Sequence, residues 1–384
     1  MVSPVTYPFH GRSDAQLCID QLCTMLQVEE SYRVPFVPCE SSCSHNTGTG
    51  DRHPFGEWRR KITQWSFKVI DHFKMDREIV SSAMNILDRY LALETAKTYE
   101  MNVCPCPECQ NSVDSRTFQL AAMTALYLAM KASDSGEDHS SSCRKLRLQS
   151  FVELSRGQFS AEDILAMERR VLQELKWKVY PPTPMAAVSY LLRLMPSHMA
   201  LPYSYRKSYD LVLHVLHELS RYLTELSVCL GSVCLAHTPS QVAYASILLS
   251  MELLTASALP MLVRNAFNEA VVSTSSLSGG TILTPNDEVI RSLQGRLRHS
   301  FWPEMLMEDC EYAELGHPIS MAKDYGLLDL SFFMGSNSLA STTPPVTSTF
   351  HYHPQGFVHA QQDEQYILKS GMEGSPISVA RQYA

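Results

Sequence analysis

The chain has 384 residues, 45% hydrophobic and 19% charged, which is enough apolar material for two buried cores and too apolar for a disordered chain. Its formal net charge of -8 is unevenly spread: residues 51–180 hold 19 Lys/Arg against 18 Asp/Glu, and residues 301–384 hold 3 against 10. No stretch carries the basic surplus of a nucleic-acid footprint, and 11 cysteines without a basic-then-apolar leader fit a reduced cytosolic or nuclear protein.

Residues 1–50 read as an arm and linker. Within them Asp14–Glu30 offers Leu17, Cys18, Leu22, Met25 and Leu26 at near-helical spacing, so a helix packing on the domain that follows is expected. The stretch VPFVPCESSCSHNTGTG then reads as linker. In Glu57–Phe73 the residues Trp58, Ile62, Trp65 and Val69 form one helical stripe, with Arg59 beside it. Asp76 suits the N-cap of the next helix, where Ile79, Ala83, Ile86 and Tyr90 recur on one face. Asp88 interrupts that apolar surface. A carboxylate there is costly to bury unless a cation meets it, and Arg59, one helix earlier, is the candidate partner.

Three further helices are expected: Thr117–Lys131, Leu146–Leu154, and Ser160–Trp177, whose Ser160 and Asp163 make a capping box. Two loops between these helices exceed what a bundle needs. One carries Cys104, Cys106 and Cys109, and the other His139 and Cys143. The set lacks paired CxxC knuckles, so free thiols rather than a zinc site are expected.

After Tyr180 the helical rhythm begins again, over Thr183–Met195, Tyr205–Leu226, Pro239–Leu254, Leu259–Val272 and Asp287–Phe301. Thr238 and Pro239 suit the N-cap and N1 positions of the third of these. Ala243–Val263 is apolar enough to suggest a membrane span, but Glu252 and Pro260 favour two short buried helices. From about Met307 periodicity fades, and a disordered acidic tail is expected. Thr343-Pro344 and Ser375-Pro376 in that tail are candidate proline-directed phosphorylation sites and a candidate degradation signal. The motifs GxxxxGK(S/T), HExxH and GxSxG are absent, so no enzyme activity and no cofactor are expected.

Arg59, Trp65, the LDRYL ending at Leu91, FQL with LAMK ending at Lys131, and MERRVLQELKW ending at Trp177 form a series that resembles the cyclin box. The resemblance covers Glu57 to Lys178 strongly. It extends more weakly from Thr183 to Phe301, where Glu-Leu-Ser precedes a Pro-Ser-opened apolar helix. It implies an all-α fold of two tandem five-helix cyclin boxes with flexible extensions: an arm at 1–50, boxes at 51–180 and 181–305, and a tail at 306–384. The Leu-Lys-Trp ending is similar to D-type cyclins, although their Leu-x-Cys-x-Glu motif is missing.

The function the resemblance implies is a non-catalytic subunit that binds and activates a cyclin-dependent Ser/Thr protein kinase in cell-cycle control. It acts in the nucleus or cytoplasm, with kinase substrates or inhibitors as further partners. By the same resemblance Lys131 and Glu168 contact the kinase, and Arg59 with Asp88 forms a structural ion pair. Trp58, Ile62, Trp65, Phe118, Gln119 and Leu120 form a candidate substrate-docking patch. Lys68 stands where the family has an acid to receive the Arg of docking peptides, and Lys61 replaces an apolar neighbour, so the usual ligand is disfavoured. The rival of the same fold is a general transcription factor on promoter DNA, which wants a basic groove and a zinc ribbon. The neutral boxes speak against nucleic acid as a partner.

Overall fold

The computed structural model describes residues 12–35, 56–100, 113–133, 148–197, 203–300 and 323–329. Its helices are α1 (Arg12–Val28), α2 (Gly56–His72), α3 (Glu78–Glu100), α4 (Ser115–Ser133), α5 (Leu148–Leu154) and α6 (Ala161–Glu174). They continue with α7 (Pro184–Leu192), α8 (Tyr203–Cys229), the short α9 (Gly231–Cys234), α10 (Pro239–Leu253), α11 (Met261–Ser278) and α12 (Glu288–Ser300). Among the described residues the β pairing is limited to one isolated antiparallel bridge, Leu254 to Leu328. The fold is all-α, with five helices (α2–α6) followed by five more (α7, α8, α10, α11 and α12) in tandem.

The helix starts follow local chemistry. Asp76 Oδ1 accepts from the backbone N–H of Glu78 at 2.8 Å as α3 opens. Ser160 and Asp163 form the reciprocal capping box of α6. Pro239, with no N–H to lose, is the first residue of α10. The apolar run suggestive of a membrane span is divided between α10 and α11, and among the described residues no helix is long and apolar enough to cross a membrane.

The described residues fall into two compact units. One holds Val28–Thr183 together with Ser227–Pro239. Here α4 is buried on nearly every side, from Phe118 to Met130, so the other helices wrap around it. Ile62 and Ile70 of α2, Ile86 and Tyr90 of α3, Phe151 of α5 and Ile164 of α6 complete the dry core.

The other unit holds residues up to Gln27, Pro184–Leu226 and Ser240 onward. Its centre is α10, whose Val242 to Leu249 are all buried, an arrangement opened by the small residues Ala243, Ala245 and Ser246. Helix α1 belongs to this unit and not to the domain that follows it in sequence, which corrects the expectation above. The cause lies in α11 and the turn after it. Gln27 Nε2 donates to Ser278 O at 2.7 Å, and the Cys23 thiol to Thr274 O at 3.7 Å. Gly280 leaves room for the α1 backbone, since a Cβ there would lie 2.4 Å from Leu26 O.

A second correction concerns the tail. Residues 323–329 are ordered against this unit, with Thr255 N–H donating to Leu327 O and Asp329 N–H to Leu253 O, each at 2.8 Å. Leu327 and Leu328 are buried there, an apolar pair that composition-level reading of an acidic tail passes over.

Candidate functional site

The scaffold of the site begins with Arg59 on α2, which is 1% exposed. Its Nε donates to Asp88 Oδ1 and Oδ2 at 2.9 and 3.1 Å, and Nη2 donates to Oδ2 at 2.8 Å. This side-on, two-oxygen pairing is the strong form of an Arg–carboxylate contact. The remaining donors go to elements that sequence reading did not connect to it. Nη1 bonds Val228 O at 2.7 Å, and Nη2 bonds the Cys234 sulfur at 2.9 Å. Burial opposes the guanidinium charge, but the Asp88 carboxylate outweighs it and the arginine is held firmly protonated. Burial also pushes the Cys234 thiol up to about 12, against the pull of Arg59. Arg89, next to Asp88, turns the other way: Nη1 caps Lys178 O at 2.7 Å, just beyond α6, and the guanidinium stacks over Tyr32.

This clamp fixes α2 against α3, and the α4–α6 pair carries the outward-facing chemistry. Lys131, in the last turn of α4, reaches Glu168 in the middle of α6, with Nζ 2.6 Å from Oε1. The two residues that the resemblance assigned to the kinase contact thus meet each other. Their side chains differ in depth, the lysine 51% exposed and the glutamate 9%. The hydrogen bond to Glu168 raises the Lys131 pKa, and Nζ also sits 5.1 Å from the Tyr127 ring centroid.

Apolar groups on α6 flank this pair. Leu165 and Leu172, three residues before and four after Glu168, share its side of the helix, and Leu165 is 38% exposed. Just past the helix stands Trp177, 70% exposed. Lys176 and Trp177 both adopt left-handed φ, 50° and 62°, and Trp177 N–H closes the helix end on Leu172 O at 2.9 Å. A glycine normally takes such a turn. Left-handed φ is uncommon for any other residue and a marked outlier for a bulky one, so two in succession turn the chain sharply away from the helix end. Sequence reading used this tryptophan only as a family mark. The absence of any glycine between Gln173 and Tyr180 was the signal that the helix stop is strained.

The docking patch divides. Ile62, Trp65 and Phe118 belong to the core, and Gln119 is 2% exposed, so these four present little surface, in contrast to the expectation for them. Trp58, tilted at 58° on Phe118, and Leu120 are partly exposed. Gln119 Oε1 is buried without a hydrogen-bond partner among the described residues. Cys104, Cys106, Cys109, His139, Cys143, Thr343 and Ser375 lie outside the described residues. Among the described residues no group of His, Cys, Asp or Glu is placed to hold a metal ion. A half-exposed ammonium, a buried carboxylate and exposed apolar side chains around them are equipment for recognising a protein surface.

Comparison with known proteins agrees with the motif series. Residues 40–180 match the cyclin N-terminal domain. The G2/mitotic-specific cyclin cdc13 of Schizosaccharomyces pombe is 24% identical over 251 residues, 65% of this chain and 42% of that protein. G1/S-specific cyclin-D1 of Xenopus laevis is 25% identical over 138 residues, 36% of this chain and 39% of that protein. A viral cyclin from herpesvirus saimiri, solved by X-ray crystallography, aligns with a TM-score of 0.41 at 12% identity, over 74% of this chain and 97% of that one. The chain spans less than two thirds of the length of the curated relatives it matches. Mitotic and D-type relatives match at nearly equal identity, so the D-type likeness of the Leu-Lys-Trp ending has no advantage.

Proposed function

We propose, on the premise that the chain belongs to the cyclin family, that it is the regulatory subunit of a cyclin-dependent Ser/Thr protein kinase in cell-cycle control. The observation that carries this is the Lys131–Glu168 pair on the α4–α6 face, with exposed Leu165 one turn from Glu168 on the same side of α6. Binding energy from the apolar groups would come from burial, and the charges would fix register and reject wrong partners. The kinase is activated because its active arrangement alone fits this rigid face, so association shifts its population toward that state. The Arg59–Asp88 clamp serves this by holding α2 and α3 in place, without touching the kinase. Substrate or inhibitor docking is assigned to the exposed edges of Trp58 and Leu120. The complex works in the nucleus or cytoplasm.

The test is affinity purification of the full chain from cells, with mass spectrometry for a co-purifying kinase and a phosphotransfer assay on the eluate. The wild-type chain should bring down an active kinase. Lys131→Ala with Glu168→Ala should lose it while circular dichroism and the melting temperature stay close to wild type, because both charges leave together and no buried carboxylate is stranded. A folded double variant that still binds and activates the kinase would show that the face is wrongly assigned.

A further inference from the structure

The corner between α10 and α11 carries an arrangement that kinase binding does not use. Helix α10 ends at Leu253, and the chain turns through Leu254–Pro260 before α11 begins. This turn is held from within. Thr255 O accepts from the N–H groups of Ala258 and Leu259, at 3.1 and 3.0 Å. Arg264 donates through Nε to Leu259 O and through Nη2 to Leu254 O, both at 2.8 Å. The corner therefore keeps its shape without help from elsewhere.

Two backbone groups face outward from it, the carbonyl of Leu253 and the N–H of Thr255, and both are taken by the segment Leu327–Asp329. Of the seven residues in that ordered segment only Leu327 and Leu328 are buried, while Lys323 to Gly326 are exposed. Gly326, at φ 64°, makes the turn that aims the two leucines inward. Residues 301–322, a 22-residue stretch, separate the segment from α12. The rung of backbone hydrogen bonds and the two buried leucines are set against the cost of ordering the segment, a balance between small terms that can reverse. Met261 and Leu262, in the first turn of α11 at the same corner, are 60% and 73% exposed.

We propose that this corner is a peptide-docking edge and that residues 326–329 are its built-in occupant, competing in cis. The external ligand is a partner protein presenting an extended segment of the same chemistry: a tight turn followed by two adjacent aliphatic residues. Its backbone takes the Leu253 O and Thr255 N–H rung, its aliphatic pair takes the places of Leu327 and Leu328, and further apolar residues cover Met261 and Leu262. This is strand addition to a preformed edge, in which main-chain bonds give affinity and the paired side chains give selectivity. Because Arg264 shapes the corner independently, the site survives departure of the occupant.

The experiment uses the full chain and a fluorescein-labelled peptide of residues 323–330, read by fluorescence anisotropy. In Leu327→Asp with Leu328→Asp the cis segment cannot dock, so the edge is open. The labelled peptide should bind this variant at least about tenfold more tightly than wild type, the ratio expected when the cis segment occupies the edge nine tenths of the time or more. Adding Met261→Ser with Leu262→Ser should weaken binding of a longer peptide carrying extra aliphatic residues at its end, and leave the short one unchanged. Equal binding to wild type and to the Asp variant, or none to either, would overturn the proposal. An Asp variant that fails to fold would also overturn it, since the segment would then be a permanent part of the core. Light scattering adds one more outcome: a wild-type dimer that the Asp variant dissociates would assign the edge to the segment of a second copy, against a partner protein.

Discussion

Replacing Asp88 by alanine tests the physical centre of the first unit. Among the described residues Arg59 is the largest fully buried side chain, and five hydrogen bonds run from it to Asp88, Val228 O and Cys234. Asp88→Ala removes the counter-charge and leaves the guanidinium buried with one carbonyl and one thiol, which should cost about 3–5 kcal/mol. Arg59→Leu should cost more. It strands the Asp88 carboxylate in the core and also leaves Val228 O without its donor, a further loss of about 1–3 kcal/mol. The double variant Arg59→Leu with Asp88→Leu removes both charges together, so only the carbonyl loss remains, about 1–3 kcal/mol. The double variant should therefore be more stable than either single one. Urea unfolding followed by tryptophan fluorescence reads this directly, because Trp58 and Trp65 share α2 with Arg59. A cost below about 1 kcal/mol for Asp88→Ala, the value for an exposed pair, would refute the reasoning. So would a double variant whose loss equals the sum of the two singles.

Two further predictions follow from the same structure. Burial pushes the Cys234 thiol from 9.0 up to about 12, so the folded state holds this proton more tightly than the unfolded chain does. That contribution is complete below pH 9 and is lost as pH rises toward about 12, at roughly 1.4 kcal/mol per pH unit before other groups are counted. Urea midpoints at pH 8 and pH 10 should therefore converge in Cys234→Ser, which cannot titrate; an unchanged alkaline loss in that variant would put its source elsewhere. Gly280→Ala would set a Cβ 2.4 Å from Leu26 O, backbone that cannot move without shifting α1. A loss of about 1–3 kcal/mol is expected, with faster hydrogen exchange over residues 17–27 and little change in the first unit. Unchanged exchange in α1 would mean that the helix is not held at this contact.

The helices were legible because their signals are local. Periodic stripes placed α2, α3 and α4, and the Ser160–Asp163 box and Pro239 marked starts that the structure reproduces. The Arg59–Asp88 pairing was legible for a different reason: a lone carboxylate on an apolar face demands a cation, and few were near. What stayed hidden depends on contacts far apart in sequence. Val228 and Cys234 meet Arg59 across about 170 residues, and no periodicity reports that. The docking of α1 on the second unit turns on a single missing Cβ at Gly280. The described piece of the tail spans residues 323–329 with two buried leucines, too short to register against an acidic background. Gln119 shows the converse. The family resemblance placed it in a docking patch, yet it is buried, with its Oε1 unpartnered among the described residues.

Two of the ion pairs of the first unit, Arg59–Asp88 and Lys131–Glu168, show how depth divides labour between residues of similar chemistry. In Arg59–Asp88 both side chains are nearly sealed, at 2% and 3% exposure, and the arginine fork is fully committed. Neither charge can be offered to another protein without unfolding the clamp, so its role is confined to geometry. In Lys131–Glu168 one side chain is sealed and the other half in water. The glutamate fixes where the ammonium stands, and the half of the ammonium that faces water can meet a partner carboxylate while the bond to Glu168 stays in place. A charge held in position at a half-exposed site is what recognition requires, and on this face it stands beside exposed Leu165.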